Sequence, residues 1–260
     1  HPQHSLQKYR RGTGMRSLLR LPLLLLAGMA VLGCPKELPP DLPADELYRI
    51  GLQKFEQRDW GGTIEAMQRF VYADPAAARV DSAQLLIGEA YYNQKQYLTA
   101  ATEFLRLAQD RPAGRLADLA RYRACESYYE LSPRPELDQE YTEQAIVECR
   151  TVALLYPASP YAETAVQRVE ELTNKVARKY YLNGVYYFRR KAYDSAVVYL
   201  EYMLETFPHS AVEPEALLKL YEAYVKLGYS DEADQTRDRI LRDYPDSPEA
   251  RELSGNSSVG

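Results

Sequence analysis

From Asp45 onward, apolar positions recur every three or four residues, and the stretches that carry them come in pairs. The clearest pair is Tyr180 to Pro208, YYLNGVYYFRRKAYDSAVVYLEYMLETFP. Its pattern predicts two antiparallel helices joined by a tight turn at Lys191 to Asp194, with Gly184 facing Ala196 and Pro208 closing the second helix. Small residues at those two places let the helices approach, and Tyr187, Leu200 and Met203 fill the space around them. Pro75, Pro112, Pro157, Pro208 and Pro245 each close such a unit, at separations of 37, 45, 51 and 37 residues. Counting 24 residues back from a closing proline reaches Gly51, Gly88, Gly184 and Tyr221; counting 12 back reaches Thr63, Ala100, Ala145, Ala196 and Ala233. Two separations are the bare unit, and the other two carry insertions of 8 and 14 residues. The first insertion falls inside the third unit, where SPRPELDQEY separates a helix over Leu116 to Glu130 from one resuming near Thr142. The second, Ala162 to Val176, is itself helical, with Val166, Val169 and Leu172 in phase, and predicts one long helix running into the fourth unit.

A helical hairpin of about 34 residues ending in proline is the tetratricopeptide (TPR) pattern. One hairpin cannot bury its own apolar face, so the pattern predicts an all-α solenoid of about five stacked hairpins. Residues 45–115 hold the first two, 116–160 the third with its insertion, 161–208 the extra helix and the fourth, and 209–248 the fifth. The polar second helix of the fifth, DEADQTRDRILRDYP, suits a capping repeat, and 249–260 is expected to be a disordered tail.

The amino-terminal part reads as an address. Residues 1–14 precede the first methionine, Met15, and read as upstream read-through or a misassigned start. Residues 15–33 form a signal peptide: Arg16 and Arg20, then an apolar run from Leu21 to Val31 too short to span a bilayer. The sequence Val31-Leu32-Gly33-Cys34 resembles the bacterial lipobox, which implies cleavage before Cys34 and a covalent lipid on it. Pro35, in place of aspartate, implies dispatch to the outer membrane. Residues 34–44, with prolines at 35, 39, 40 and 43, are expected to form an extended tether of about 30 Å.

Composition narrows the function. Residues 1–33 hold five bases and no acid, which leaves 27 bases against 37 acids from Cys34 onward; so acidic a body argues against nucleic-acid binding. His209 is the only histidine after residue 33, and no Cys/His cluster has metal-ligand spacing. Gly61-Gly62 lacks the lysine of a phosphate loop, and the pairs Glu126/Glu130 and Glu201/Glu205 suit solvated helix faces. The chain therefore reads as a non-enzymatic scaffold without metal or cofactor, apart from the lipid on Cys34.

Tyrosine is over-represented, 23 residues against five phenylalanines, and suits half-buried faces and grooves. Projecting the concave, first-helix side of the stack gives Tyr48, Leu52 and Phe55, then Leu85, Glu89 and Tyr92. The third hairpin adds Tyr122, Glu126 and Tyr129, and the fourth adds Tyr181, Val185 and Phe188. As a set these residues suit a groove for an extended peptide with aromatic side chains, while any one tyrosine also suits packing between hairpins. Cys125 takes the small-residue slot of the third hairpin and Cys149 lies level with it on the second helix, so the two are expected to be buried neighbours. A disulfide and a reduced core pair both fit that placement.

The lipobox, the five hairpins, the interrupted third and the helix before the fourth together resemble the BamD/ComL-type outer-membrane assembly lipoproteins. The likeness is most specific at Tyr156-Pro157-Ala158-Ser159-Pro160-Tyr161-Ala162 and Tyr186-Tyr187-Phe188-Arg189-Arg190-Lys191-Ala192-Tyr193. It implies a lipid-anchored protein on the periplasmic face of the outer membrane that helps fold and insert β-barrel proteins. Its implied partners are the barrel-assembly subunit's periplasmic domains, other assembly lipoproteins and unfolded β-barrel substrates. The rival reading is another outer-membrane TPR lipoprotein, acting on pilus assembly or on peptidoglycan and division.

Overall fold

A computed structural model describes residues 38–256. Residues 1–14, the expected signal peptide at 15–33, Cys34 with the first part of the expected tether, and 257–260 lie outside the described residues. From Pro39 the chain makes one compact unit.

Five hairpins follow one another. They are α1 (Ala44–Glu56) with α2 (Trp60–Ala73), α3 (Val80–Asn93) with α4 (Tyr97–Asp110), α5 (Ala117–Leu131) with α6 (Glu140–Leu155), α7 (Ala162–Arg189) with α8 (Tyr193–Thr206), and α9 (Glu213–Leu227) with α10 (Ser230–Asp243). A last helix, α11 (Pro248–Asn256), follows, and there is no strand among the described residues. The fold is an all-α, TPR-like solenoid. Each helix packs on its neighbours in chain order, and α1–α3, α5–α7 and α7–α9 also touch. No comparable approach joins two even-numbered helices, so the odd-numbered helices hold the inner side of the stack.

The helices form because each carries one apolar stripe. In α4, Ala100, Phe104, Leu107 and Ala108 lie on one face and are all buried. The hairpins close on a repeated contact. A Cβ on Gly51 would lie 2.6 Å from Met67 Cε, one on Gly88 2.5 Å from Phe104 Cε1, and one on Gly184 2.6 Å from Leu200 Cγ. The glycine thus receives the large side chain one turn beyond Thr63, Ala100 or Ala196. The expected Gly184–Ala196 facing is corrected accordingly: Leu200 fills that space, because the missing Cβ leaves a hollow that an alanine would not fill.

Turns repeat as well. Seven residues after each slot, Arg58, Lys95 and Lys191 take φ of 57°, 61° and 61°, and Gly228 takes 79°. Asp59 caps α2, accepting from Gly62 N at 3.0 Å and from Lys54 Nζ at 2.7 Å. Those bonds, Lys54 first, hold its carboxyl below the usual aspartate range. At the matching place in the third hairpin Ser132 is extended, φ −64° and ψ 116°, and the chain leaves the turn to enter its insertion.

Two expectations about the ends are corrected. Residues 249–256 are not a disordered tail: they belong to α11, where Ala250 and Leu253 are buried against the last hairpin's core. Ser247 starts that helix, its Oγ accepting from Ala250 N at 3.0 Å. At the other end the tether expected over 34–44 does not extend to residue 44. Ala44 is already helical, and Arg69 of α2 donates to the carbonyls of Pro39 and Pro40, the latter at 2.9 Å.

Candidate functional site

The inner face is built from rings, carboxylates and cations that alternate from hairpin to hairpin. Tyr48 packs on Phe70 with centroids 5.1 Å apart, and the Arg79 guanidinium stands 4.6 Å over its ring. Phe55 meets Trp60 edge-on at 5.3 Å. Tyr92 meets Tyr97 edge-on at 5.0 Å, carries Arg123 of α5 at 4.0 Å over its face, and donates to Glu130 Oε1 at 3.4 Å. Tyr122 stacks on Tyr161 at 4.9 Å. Tyr129 carries Arg168 of α7 at 3.9 Å and donates to Glu171 Oε1 at 2.6 Å. Arg178 lies 5.0 Å over Tyr181, and Lys219 of α9 lies 4.7 Å over Phe188.

The cations are themselves held. Arg123 grips Glu89 through both carboxylate oxygens, at 2.5 and 2.7 Å. Arg168 donates to Glu126 at 3.1 Å and to Glu171 at 3.2 Å, and Arg178 donates to Glu215 at 2.8 Å. A paired guanidinium over a ring fixes the ring's orientation and joins adjacent hairpins. Burial works against the charge of Arg168, but its hydrogen bond to Glu126 overcomes this and holds its pKa above the ordinary value. Burial first, then the charge of Glu130, pushes the Tyr92 phenol up to about 12 against the opposing pull of Arg123. Tyr129 is raised by its bond to Glu171 and then by burial; Tyr181 is raised by burial and then by Glu215.

All seven ring candidates therefore lie on odd-numbered helices, half-buried, each with a ring or cation against it. Val185, expected on the same face, is instead buried in the core of the fourth hairpin. Apolar periodicity missed the cations. A shared register could have found two of them, since Arg123 and Lys219 both stand two residues before their helix's slot. Cys125 and Cys149 lie beneath this face, both fully buried in a core against which Tyr122 and Tyr129 pack. Their sulfurs are joined at 2.06 Å, with Cα atoms 4.9 Å apart. They occupy the place that glycine and a large side chain hold in the first, second and fourth hairpins.

Among the described residues no group of His, Cys, Asp and Glu could hold a metal ion, and no helix is long and apolar enough to cross a membrane. A stack of helical hairpins with a ring-and-cation inner face has the form of an interaction scaffold. A family model described as "YfiO: Outer membrane lipoprotein" matches residues 40–240, and the chain belongs to that family. It is 26% identical over 215 residues to the "Outer membrane protein assembly factor BamD" of Caulobacter vibrioides, covering 80% of this chain and 70% of that one. The protein of the same description from Xylella fastidiosa is 27% identical over 246 residues, covering 88% and 83%. The one from Vibrio cholerae is 24% identical over 225 residues, covering 82% and 93%. Among solved structures, the TPR domain of P58(IPK) gives a TM-score of 0.43 at 16% identity, covering 80% of this chain and 53% of that one.

Proposed function

We propose that this chain is a lipid-anchored scaffold of the β-barrel assembly machinery, held on the periplasmic face of the outer membrane through Cys34. In this reading it binds the barrel subunit's periplasmic domains and other assembly lipoproteins, and it engages unfolded barrel segments along its inner face. The observation that carries the reading is the likeness, over most of the chain, to relatives described as outer membrane protein assembly factors. The inner face supports it: half-buried rings with carboxylates and guanidinium groups between them offer both apolar and polar contacts to an extended peptide.

The test pairs binding with stability on one variant. Tyr92→Ala with Tyr129→Ala is expected to weaken binding of an unfolded barrel segment far more than it lowers the melting temperature. If the two rings serve only to join hairpins, the order reverses, because truncating a buried aromatic costs about 3–5 kcal/mol. The anchor has its own test. Cys34→Ala is expected to leave an unprocessed or soluble form, whereas a mature amino terminus other than a lipidated Cys34, measured by intact mass, would contradict it.

A further inference from the structure

Little slack separates the first hairpin from Cys34. Arg69 of α2 donates to the carbonyls of Pro39 and Pro40, the latter at 2.9 Å, which holds the chain against the end of that helix. The five residue steps from Pro39 back to Cys34 span at most about 18 Å. A lipid on Cys34 therefore keeps this end of the first hairpin within that reach of the bilayer surface.

The same end opens a continuous edge, made by the loops that join each of the first three hairpins to the next. Each loop is tied to the one before. Arg79 pairs with Asp45 at the start of α1, and Arg111 reaches Asp81 at 3.5 Å. The Tyr156 hydroxyl donates to the Pro112 carbonyl at 3.2 Å, and Ser159 Oγ donates to Asp118 at 2.7 Å. Along this edge stand three of the four most exposed large apolar side chains among the described residues: Tyr72 at 90%, Leu154 at 72% and Leu155 at 60%. Pro75, Ala76, Pro112, Ala113, Pro157 and Ala158 are exposed beside them. The opposite edge, made by the hairpin turns, presents Gln57, Arg58, Lys95 and Gln96, and Leu98, Leu137 and Tyr141 near it are each less than half exposed. Charge does not distinguish the first edge, where Arg111, Arg115 and Arg150 are matched by Asp74, Asp110 and Glu163. What sets it apart is exposed apolar area on the side to which the anchor leads.

We propose that this edge lies on the membrane, with Tyr72, Leu154 and Leu155 entering the headgroup layer of a lipid surface. Tyrosine suits that layer because its ring is apolar and its hydroxyl stays wet, and the leucines add buried apolar area. The short link from Cys34 makes the contact effectively intramolecular, so a weak surface suffices. The proposal rests on the lipid given to Cys34 above. It assigns no role to the inner face.

The test uses the lipidated mature chain in vesicles of phosphatidylethanolamine and phosphatidylglycerol, after intact mass has shown the lipid on Cys34. Ala73→Cys and Ala158→Cys carry a nitrobenzoxadiazole label on the edge and leave Tyr72, Leu154 and Leu155 in place; Gln57→Cys and Gln96→Cys carry it on the hairpin turns. The two edge labels are expected to shift their emission to the blue and to lose it to a nitroxide-headgroup lipid, and the turn labels to do neither. Tyr72→Ser with Leu154→Ser and Leu155→Ser, all at exposed positions, is expected to abolish both changes while the protein stays on the vesicles, with melting curves confirming the fold. With the lipid in place, edge labels that stay wet, turn labels quenched as strongly, or an unaltered response from the triple variant would overturn the proposal and leave the anchor standing. No lipid on Cys34 would overturn both. Shielding of the edge labels without vesicles would also overturn it: if it rises with protein concentration it seats a second copy there, and if it needs added outer-membrane extract it seats another protein.

Discussion

Lys179 Nζ donates a 2.9 Å hydrogen bond to the Leu137 carbonyl, and this contact ties the insertion of the third hairpin to α7. Leu137 sits in that insertion, and Lys179 in α7, just past the extra segment Ala162 to Val176. One turn earlier, Lys175 donates to Ser132 Oγ at 2.8 Å. Inside the insertion, Gln139 donates to the carbonyls of Arg134 and Leu137, and Thr142 donates to Gln139 Oε1 at 2.7 Å. The loop is therefore held by the helix beside it as well as by its own bonds.

Replacing Lys175 and Lys179 together by alanine is expected to speed amide hydrogen exchange across 132–139 and to cost about 1–2 kcal/mol, two partly exposed hydrogen bonds. Unchanged exchange there would show that the loop holds itself.

The cysteine pair gives a second test. Denatured, unreduced protein is expected to show no reactive thiol at Cys125 or Cys149. Cys125→Ala with Cys149→Ala is expected to cost about 2–4 kcal/mol, the usual range for a bridge closing a loop of this size. Cys125→Gly with Cys149→Leu rebuilds the pairing seen at Gly184 and Leu200, and is expected to recover part of that loss in a urea melt.

Backbone conformation in the turns offers a third. Lys95 and Lys191 adopt left-handed φ near 61°, a region that favours glycine. Lys95→Gly and Lys191→Gly are each expected to stabilise by about 0.5–1 kcal/mol, and Gly228→Ala to destabilise by about 1 kcal/mol. Thermal denaturation of the three variants checks both signs.

The fold class was legible because its signals are local. Proline ends helices and glycine admits close approach, so their spacing marks hairpins without knowledge of what packs where. The partner of each glycine was less legible, since the offset between Ala196 and Leu200 is one helical turn and depends on how the two helices interlock. Helix α11 was missed because it offers only two buried apolar residues, Ala250 and Leu253, although Ser247-Pro248-Glu249 is a helix start in its own right. The rings of the candidate site were found by their period. Their cations were not, because Arg79, Arg123 and Arg168 come from the next hairpin and no period within one helix reports them.

Alkaline pH tests the inner face without a ligand. The folded pKa of Tyr92, about 12, lies above the ordinary 10.0, so the folded chain holds that proton longer than the unfolded one. Its contribution to stability is fully present below about pH 10 and is lost as pH rises through about 12. Urea midpoints across that window are expected to fall less steeply for Tyr92→Phe than for the unaltered chain. Identical slopes would mean that the ring is not desolvated.

Depleting the protein in its native cell and quantifying the outer-membrane proteome tests the central claim most directly. The expected result is a broad loss of β-barrel proteins from the outer membrane, reversed by the unaltered chain. Unchanged barrel content, with loss of pili or a septation defect instead, would contradict it.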